Sequence, residues 1–575
     1  MSTQAEIIAG LPKHLRPYVR VQDYSRYSAQ DQAVWRFVMH QLQRVLSKAA
    51  HPVYFEGLTK TGIGLEQIPS MEEMNRCLAR LGWSALVVDG YIPATVFSEF
   101  QMRRILVIAM DMRSIEHILY TPTPDIVHES AGHAPFIADV DYAEYLQRFG
   151  EISMKAISTE ADHQVYLAVR RLSSLKEARG STPAELAQAQ AQLDAAMAAN
   201  DQSSEAALLS RLQWWTIEYG LVGTVDDYKL YGAGLLSSLG ESLSCQDDDQ
   251  VRKLPLTIEA IRTGFDITRP QPQLFVARNC QHLKQVLEVL AEGMCFRRGG
   301  AASLRTAIDS RRVCTAQYNS GLTVSGVFDR MQVDAVGNLI YLGTRGPTQL
   351  AWNGRQLAGH GAETHAEGFG SPVGRIIGMT RCLSQYSVDE LKQQDIAIGE
   401  KVRLEFLSGI VVEGRLDGLR REAGHNLILT FSGCRVTGLE GEHLFEPQWG
   451  LYDMAVGESI PSVWGGPADR EAFAVAESRE VQTTPQAGLS EPERRLDALY
   501  AAVRALRLRG GGDPAGAAAI HAALQEFPMD WLARLELLEL CPEPMAGALR
   551  QELDRIGRAD AAKAGLIAMG LDGVR

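Results

Sequence analysis

Apolar residues recur every three to four positions through most of the first 300 residues, and this spacing predicts a mostly helical unit. The pattern is regular over residues 29–47. A further helix is predicted over 71–81, opened by Ser70 as its N-cap. Two short apolar runs, 85–89 and 105–110, read as strands. From about 141 to 171 the spacing is again helical, with Tyr142, Tyr145, Leu146, Phe149 and Ile152 on one side. Between 173 and 207 the composition shifts to Ala, Gln, Glu and Asp, and Thr182-Pro183 supplies a helix start. That stretch is expected to be an exposed helical insertion, a solvated decoration rather than a lid.

Beyond residue 306 the period changes. Residues 402–406, 410–416 and 427–431 alternate or cluster apolar side chains between glycine-containing turns, so 306–461 is expected to be a small β-rich barrel or sandwich. The polar, Pro- and Gly-containing stretch 462–487 reads as a linker. From 488 the chain is rich in Ala, Leu and Arg. Helices are expected over 494–508 and 516–525, separated by Gly510-Gly511-Gly512, as a small helical docking module.

Composition narrows the class without deciding it. The 575 residues are 46% hydrophobic, enough for two to four domains with substantial cores. A formal charge of -13 carries no basic footprint, so a nucleic-acid partner is not expected. No stretch reaches the length of a membrane span and the N-terminus does not resemble a signal peptide, so no membrane partner is expected either. The eight cysteines include no Cys-x-x-Cys pair, which argues for a reduced, cytoplasmic protein without a disulfide framework.

Candidate chemistry concentrates in Pro124-Asp125-Ile126-Val127-His128-Glu129-Ser130-Ala131-Gly132-His133-Ala134-Pro135. A zinc hydrolase helix places two histidines four apart, on one face. Here the gap is five, which turns the rings about 140° apart on a straight α-helix. They converge only if the helix is irregular near His133, and Gly132 and Pro135 favour such a break. Glu218, within Trp214-Trp215-Thr216-Ile217-Glu218-Tyr219-Gly220, is a third candidate ligand. Its aromatic neighbours make a free surface carboxylate the less economical reading. Two histidines and one carboxylate with open positions opposite is the ligand set of non-haem Fe(II) oxygenases.

These blocks, with Arg113, Tyr120-Thr121-Pro122-Thr123-Pro124-Asp125 and Tyr231-Gly232-Ala233-Gly234-Leu235-Leu236-Ser237-Ser238-Leu239-Gly240-Glu241 in order, resemble the tetrahydropterin-dependent aromatic amino acid hydroxylases. The resemblance ends near Phe296, about half the chain. It implies a mainly α catalytic domain over 1–305, with His128, His133 and Glu218 as Fe(II) ligands. Tetrahydropterin (tetrahydrobiopterin or a relative) would be the electron donor and O2 the co-substrate. Glu129 matches the family's acidic residue near the pterin, with a catalytic and cofactor-orienting role. Gly90, Tyr91 and Ile92 resemble part of the pterin-contacting loop, and Phe97 the aromatic stacked on it. Val107 stands where the family carries a pterin-side histidine.

On the substrate side, Arg113 matches the residue that grips the amino-acid carboxylate, while Thr121, Gly234 and Ser237 match positions around its backbone. Pro124, Trp214 and His128 would frame the ring. Ile267 is apolar where tyrosine hydroxylases carry an acidic residue, so phenylalanine, converted to tyrosine, is the first choice. Tryptophan, tyrosine and meta-hydroxylation of phenylalanine stay open, as do a metal-dependent hydrolase and a non-catalytic amino-acid-binding scaffold. Protein docking or self-association through the C-terminal helices is a further expectation.

Overall fold

The computed structural model describes residues 3–88, 92–119, 124–177, 181–200, 203–266, 270–473 and 489–573. The helix Ala29–Ala49 forms where the apolar spacing predicts it. Ser28 and Asp31 cap it reciprocally, and Val34, Trp35, Val38, Leu42 and Leu46 line its buried face. The two short apolar runs form strands Ser84–Val88 and Ile105–Ala109. They pair in parallel, and the helix Ala94–Met102 makes the crossover. A second small sheet orders Tyr228–Leu230, Leu221–Gly223, Gln273–Ala277 and Arg252–Pro255.

The helix expected over 141–171 is two helices, Val140–Ser153 and Glu160–Glu177. The break has a local cause. Thr159 Oγ1 accepts from the Asp162 amide, and the Asp162 carboxylate accepts from the Thr159 amide, a fresh capping box inside the apolar pattern. The second of these helices pairs with Pro183–Ala199, which opens on Thr182 as N-cap and Pro183 at its first position, as predicted, with Glu185 completing a capping box. Leu172, Ala189 and Leu193 give this hairpin its own small apolar cluster, and most of Pro183–Ala199 is exposed.

The change of period near 306 falls inside a helix, Gly300–Ser310, whose Leu304 and Ala307 pack into the β-rich core. Two antiparallel sheets follow. One contains Val313–Gln317, Leu322–Val333, Leu339–Trp352, Arg355–Gln356, Gly368–Pro372 and Ser462–Gly465. The other contains Lys401–Glu405, Val411–Glu422, His425–Thr437, His443–Phe445 and Tyr452–Ala455. Two apolar clusters fill them, one dominated by each sheet. The first residues of the expected linker are a strand: Ser462–Gly465 pairs with Val313–Gln317, and Val463 and Gly465 turn inward while Ser462 and Trp464 stay half-buried, the alternation of a strand. Residues 474–488 lie outside the described residues.

The C-terminal helices Glu491–Leu508, Pro514–Ala523, Leu532–Leu538, Met545–Ala559 and Ala561–Leu571 share one apolar cluster with the N-terminal unit. The helix Ala29–Ala49 is what they dock on. Trp531 meets Phe37 edge-on at 5.1 Å, and Arg36 bonds Glu536 and Glu539 at 2.9 and 2.8 Å. Among the described residues no helix is long and apolar enough to cross a membrane.

Candidate metal centre

Asp125 sets up the histidine segment. Its buried carboxylate accepts from the Arg113 amide and guanidinium and, at 3.0 Å, from the amide of His128. Burial alone would raise its pKa, but Arg113 holds it below the usual carboxylate value. The chain then runs as a π-helix over Val127–His133, followed by a 3-10 turn over Ala134–Ala138 containing Pro135. Bonding from i to i+5 brings residues five apart onto one side, as i to i+4 bonding does for residues four apart. The predicted irregularity is thus a whole π turn rather than a frayed end, and the five-residue spacing is what it requires.

Glu218 closes a second π turn, Trp214–Glu218, which continues the helix Glu205–Gln213. The two turns bring three donors together. His128 Nε2 and His133 Nε2 lie 3.2 Å apart, and Glu218 Oε2 lies 3.3 and 3.5 Å from them. An ion about 2.1 Å from each donor fits a triangle of this size. The Ser237 hydroxyl donates to the Ala233 carbonyl at 2.7 Å, so it accepts from His128 Nδ1, 3.0 Å away. That fixes the tautomer and leaves Nε2 with its lone pair toward the triangle. Burial pushes His133 down to about 4. Burial also opposes the charge on Glu218, but the histidines beside it bring it to about 2. Burial opposes the charge on His128 as well, but Glu218 beside it holds its pKa above the ordinary imidazole value, so a cation binding there would displace a proton. Among the described residues no fourth His, Cys, Asp or Glu joins it.

Glu129 is not one of the three converging donors and lines a small pocket with Phe97, Val107 and His133. Burial raises its pKa to about 8. Phe97 and Ile92 are half-buried against the cluster under the parallel strands, so the described pterin-side candidates sit together. Gly90, Tyr91, Thr121 and Ile267 lie outside the described residues.

The substrate-side candidates are more varied. Arg113 is buried and gives three of its five N–H groups to Asp125 and to the Ser237 carbonyl, leaving two among the described residues. Ser237, expected beside the substrate backbone, joins its hydroxyl to His128 Nδ1 and the Ala233 carbonyl. Trp214, expected to help frame the substrate ring, is half-buried and stacks on Tyr219 at 4.6 Å and Phe265 at 4.4 Å. Pro124 is exposed. Gly234 is buried against Tyr219 and the Glu218 carbonyl, where a Cβ would sit 2.9 Å from the ring. Its role here is close packing of the 231–237 block onto the ligand turn. Asp125 and the Ser237–His128 bond are functional features the sequence reading missed. The carboxylate three residues before His128, as in an N-cap, was a readable signal.

The sequence model of the biopterin-dependent aromatic amino acid hydroxylases matches residues 8–169 and 182–297. The N-terminal half of the chain belongs to this family. The hydroxylase domain is thus an aromatic amino acid monooxygenase domain, and the gap in its match, 170–181, overlaps only the start of the 173–207 stretch. It is 27% identical over 261 residues to a phenylalanine-4-hydroxylase of Chromobacterium violaceum, covering 45% of this chain and 70% of that protein. A Pseudomonas aeruginosa phenylalanine-4-hydroxylase is 27% identical over 266 residues, covering 46% and 84%. Among solved structures, the Chromobacterium violaceum phenylalanine hydroxylase with iron(III) and 7,8-dihydrobiopterin matches at 24% identity and a TM-score of 0.39, covering 50% of this chain and 91% of that one.

Proposed function

We propose that the hydroxylase domain is an Fe(II)- and tetrahydropterin-dependent monooxygenase that converts L-phenylalanine to L-tyrosine. The observation that carries the reading is the His128–His133–Glu218 triangle, three donors on one side of an ion with no fourth protein donor among the described residues. Iron and tetrahydropterin, when bound, supply dioxygen activation and two electrons. The chain's residues do the rest. Ser237 orients His128, and Glu218 offsets one of the cation's charges. Glu129, Phe97 and Ile92 form the wall assigned to the pterin. Arg113, pinned by Asp125, has two N–H groups left among the described residues, and these are assigned to the substrate carboxylate.

Phenylalanine is favoured by the similarity to phenylalanine-4-hydroxylases and by the apolar Ile267. An apolar neighbour offers a phenol no hydrogen bond. In this reading, residues 1–305 carry the chemistry, and the β-rich and C-terminal parts lie outside it. The test is turnover of phenylalanine, tyrosine and tryptophan side by side with Fe(II), tetrahydropterin and oxygen. Tyrosine formed from phenylalanine is expected, identified by mass and retention. Hydroxylation only of tryptophan or tyrosine would replace the substrate assignment, and no product from any of the three would remove the activity.

A further inference from the structure

The β-rich region, outside the family match, contains a second convergence of two histidines and a carboxylate. His360 Nδ1 and His365 Nε2 lie 3.4 Å apart, and Asp453 Oδ2 lies 3.4 Å from the first and 3.6 Å from the second. We propose that His360, His365 and Asp453 bind a divalent transition-metal ion, zinc(II) by preference, through three protein ligands and one exchangeable water.

The distances carry the argument. A charge-assisted hydrogen bond between an imidazole and a carboxylate measures about 2.7–2.9 Å. All three separations here exceed that, so the groups are too far apart to satisfy one another well. Three donors around a tetrahedral ion with bonds of about 2.1 Å stand about 3.4 Å apart. The point equidistant from these three atoms lies about 2.0 Å from each, within the range of zinc–nitrogen and zinc–oxygen bonds. The triangle is nearly the size of the His128–His133–Glu218 one, although tautomer, secondary structure and sheet differ.

The site is also built. Both histidine carbonyls accept from strand Leu339–Trp352, His360 from the Leu350 amide at 2.9 Å and His365 from the Thr348 amide at 3.1 Å. The His365 ring is held by an edge-on contact with Phe369. Asp453 arrives from the other sheet, opposite Thr430 in the strand pairing. The Thr430 hydroxyl donates to Asp453 Oδ1 at 2.5 Å, which leaves Oδ2 facing the histidines. This is the outer support that metal ligands generally carry. Each of the three side chains is only 10–15% exposed. The donors are two borderline-soft nitrogens and one hard oxygen, a set suited to zinc. An ion here would tie the two β-sheets together and keep one coordination position open to solvent.

The test uses the full chain, stripped with chelator and reloaded with cobalt(II), a spectroscopic stand-in for zinc. Bound metal is counted by plasma mass spectrometry, and visible absorption reports tetrahedral geometry. Wild type is expected to bind two ions per chain, His365→Gln one and Glu218→Ala one, with the tetrahedral band lost only in His365→Gln. Iron-loaded His365→Gln should keep wild-type hydroxylation. Asp453→Asn, a near-isosteric change, provides the same test should the histidine variant not fold. One ion in wild type, or two in both β-region variants, would overturn the proposal.

Discussion

Gly57 lies inside the helix Val53–Lys60, where replacement by Ala should favour the helix by up to about 1 kcal/mol. The packing predicts the opposite sign. A Cβ at Gly57 would sit 2.1 Å from the Pro135 carbonyl oxygen, 2.7 Å from its carbon and 2.9 Å from its Cα. All three are backbone atoms, two residues beyond His133, so no side chain can swing aside. Reaching an ordinary contact of about 3.4 Å requires the two segments to part by roughly 1 Å, and overpacking of this kind costs about 1–3 kcal/mol. A metal tolerates about 0.2 Å of ligand displacement. Gly57→Ala should therefore lower the melting temperature and reduce iron affinity at least about tenfold, the scale of damage to a ligand's supports. Competition against a chelator reads the affinity. Gly565→Ala, in the helix Ala561–Leu571 with nothing within 4 Å of its would-be Cβ, is the control and should be neutral or stabilising. If Gly57→Ala matched the control in both readouts, the claim that this helix positions His133 would be wrong.

Other consequences are as specific. Glu218→Ala should abolish stoichiometric iron retention on gel filtration; full occupancy would take Glu218 out of the ligand set. Trp531→Ala empties the contact with Phe37 and should cost about 3–5 kcal/mol, read as a lower denaturant midpoint and faster proteolysis of the C-terminal helices. An unchanged midpoint would refute the docking. Glu99 is 2% exposed, and burial opposes its charge, but His14, Arg103 and Arg470 hold its pKa below 4.5. Its stabilisation is then complete above pH 4.5 and lost as pH falls through the lower folded value. Glu99→Gln should cost about 2 kcal/mol at pH 7 and converge with wild type in acid. A difference independent of pH would rule this out.

The hydroxylase site was legible because its chemistry sits in short blocks: a five-residue histidine gap with Gly132 and Pro135, and a carboxylate among aromatics. The gap announced an irregular helix, although only coordinates identify it as a π turn. Side-chain economy was not legible. Ser237 and Arg113 resemble substrate contacts in sequence, yet much of their hydrogen bonding goes to His128 and Asp125. The capping box at Thr159 was readable but lay inside a strong apolar period that masked it. The β-region triangle was invisible for another reason. His360 and His365 repeat the five-residue gap, but Asp453 comes from a distant strand in the opposite sheet, and no local pattern joins them. At the C-terminus the composition suggested helices over 494–508 and 516–525, without showing that Ala29–Ala49 is the surface they pack on.

Anomalous diffraction at the iron edge from Fe(II)-loaded crystals bears most directly on the hydroxylase centre. It should place one ion about 2.1 Å from His128 Nε2, His133 Nε2 and a Glu218 oxygen, with only solvent on the remaining side. An ion held by a fourth protein donor, or bound away from these three side chains, would contradict the account.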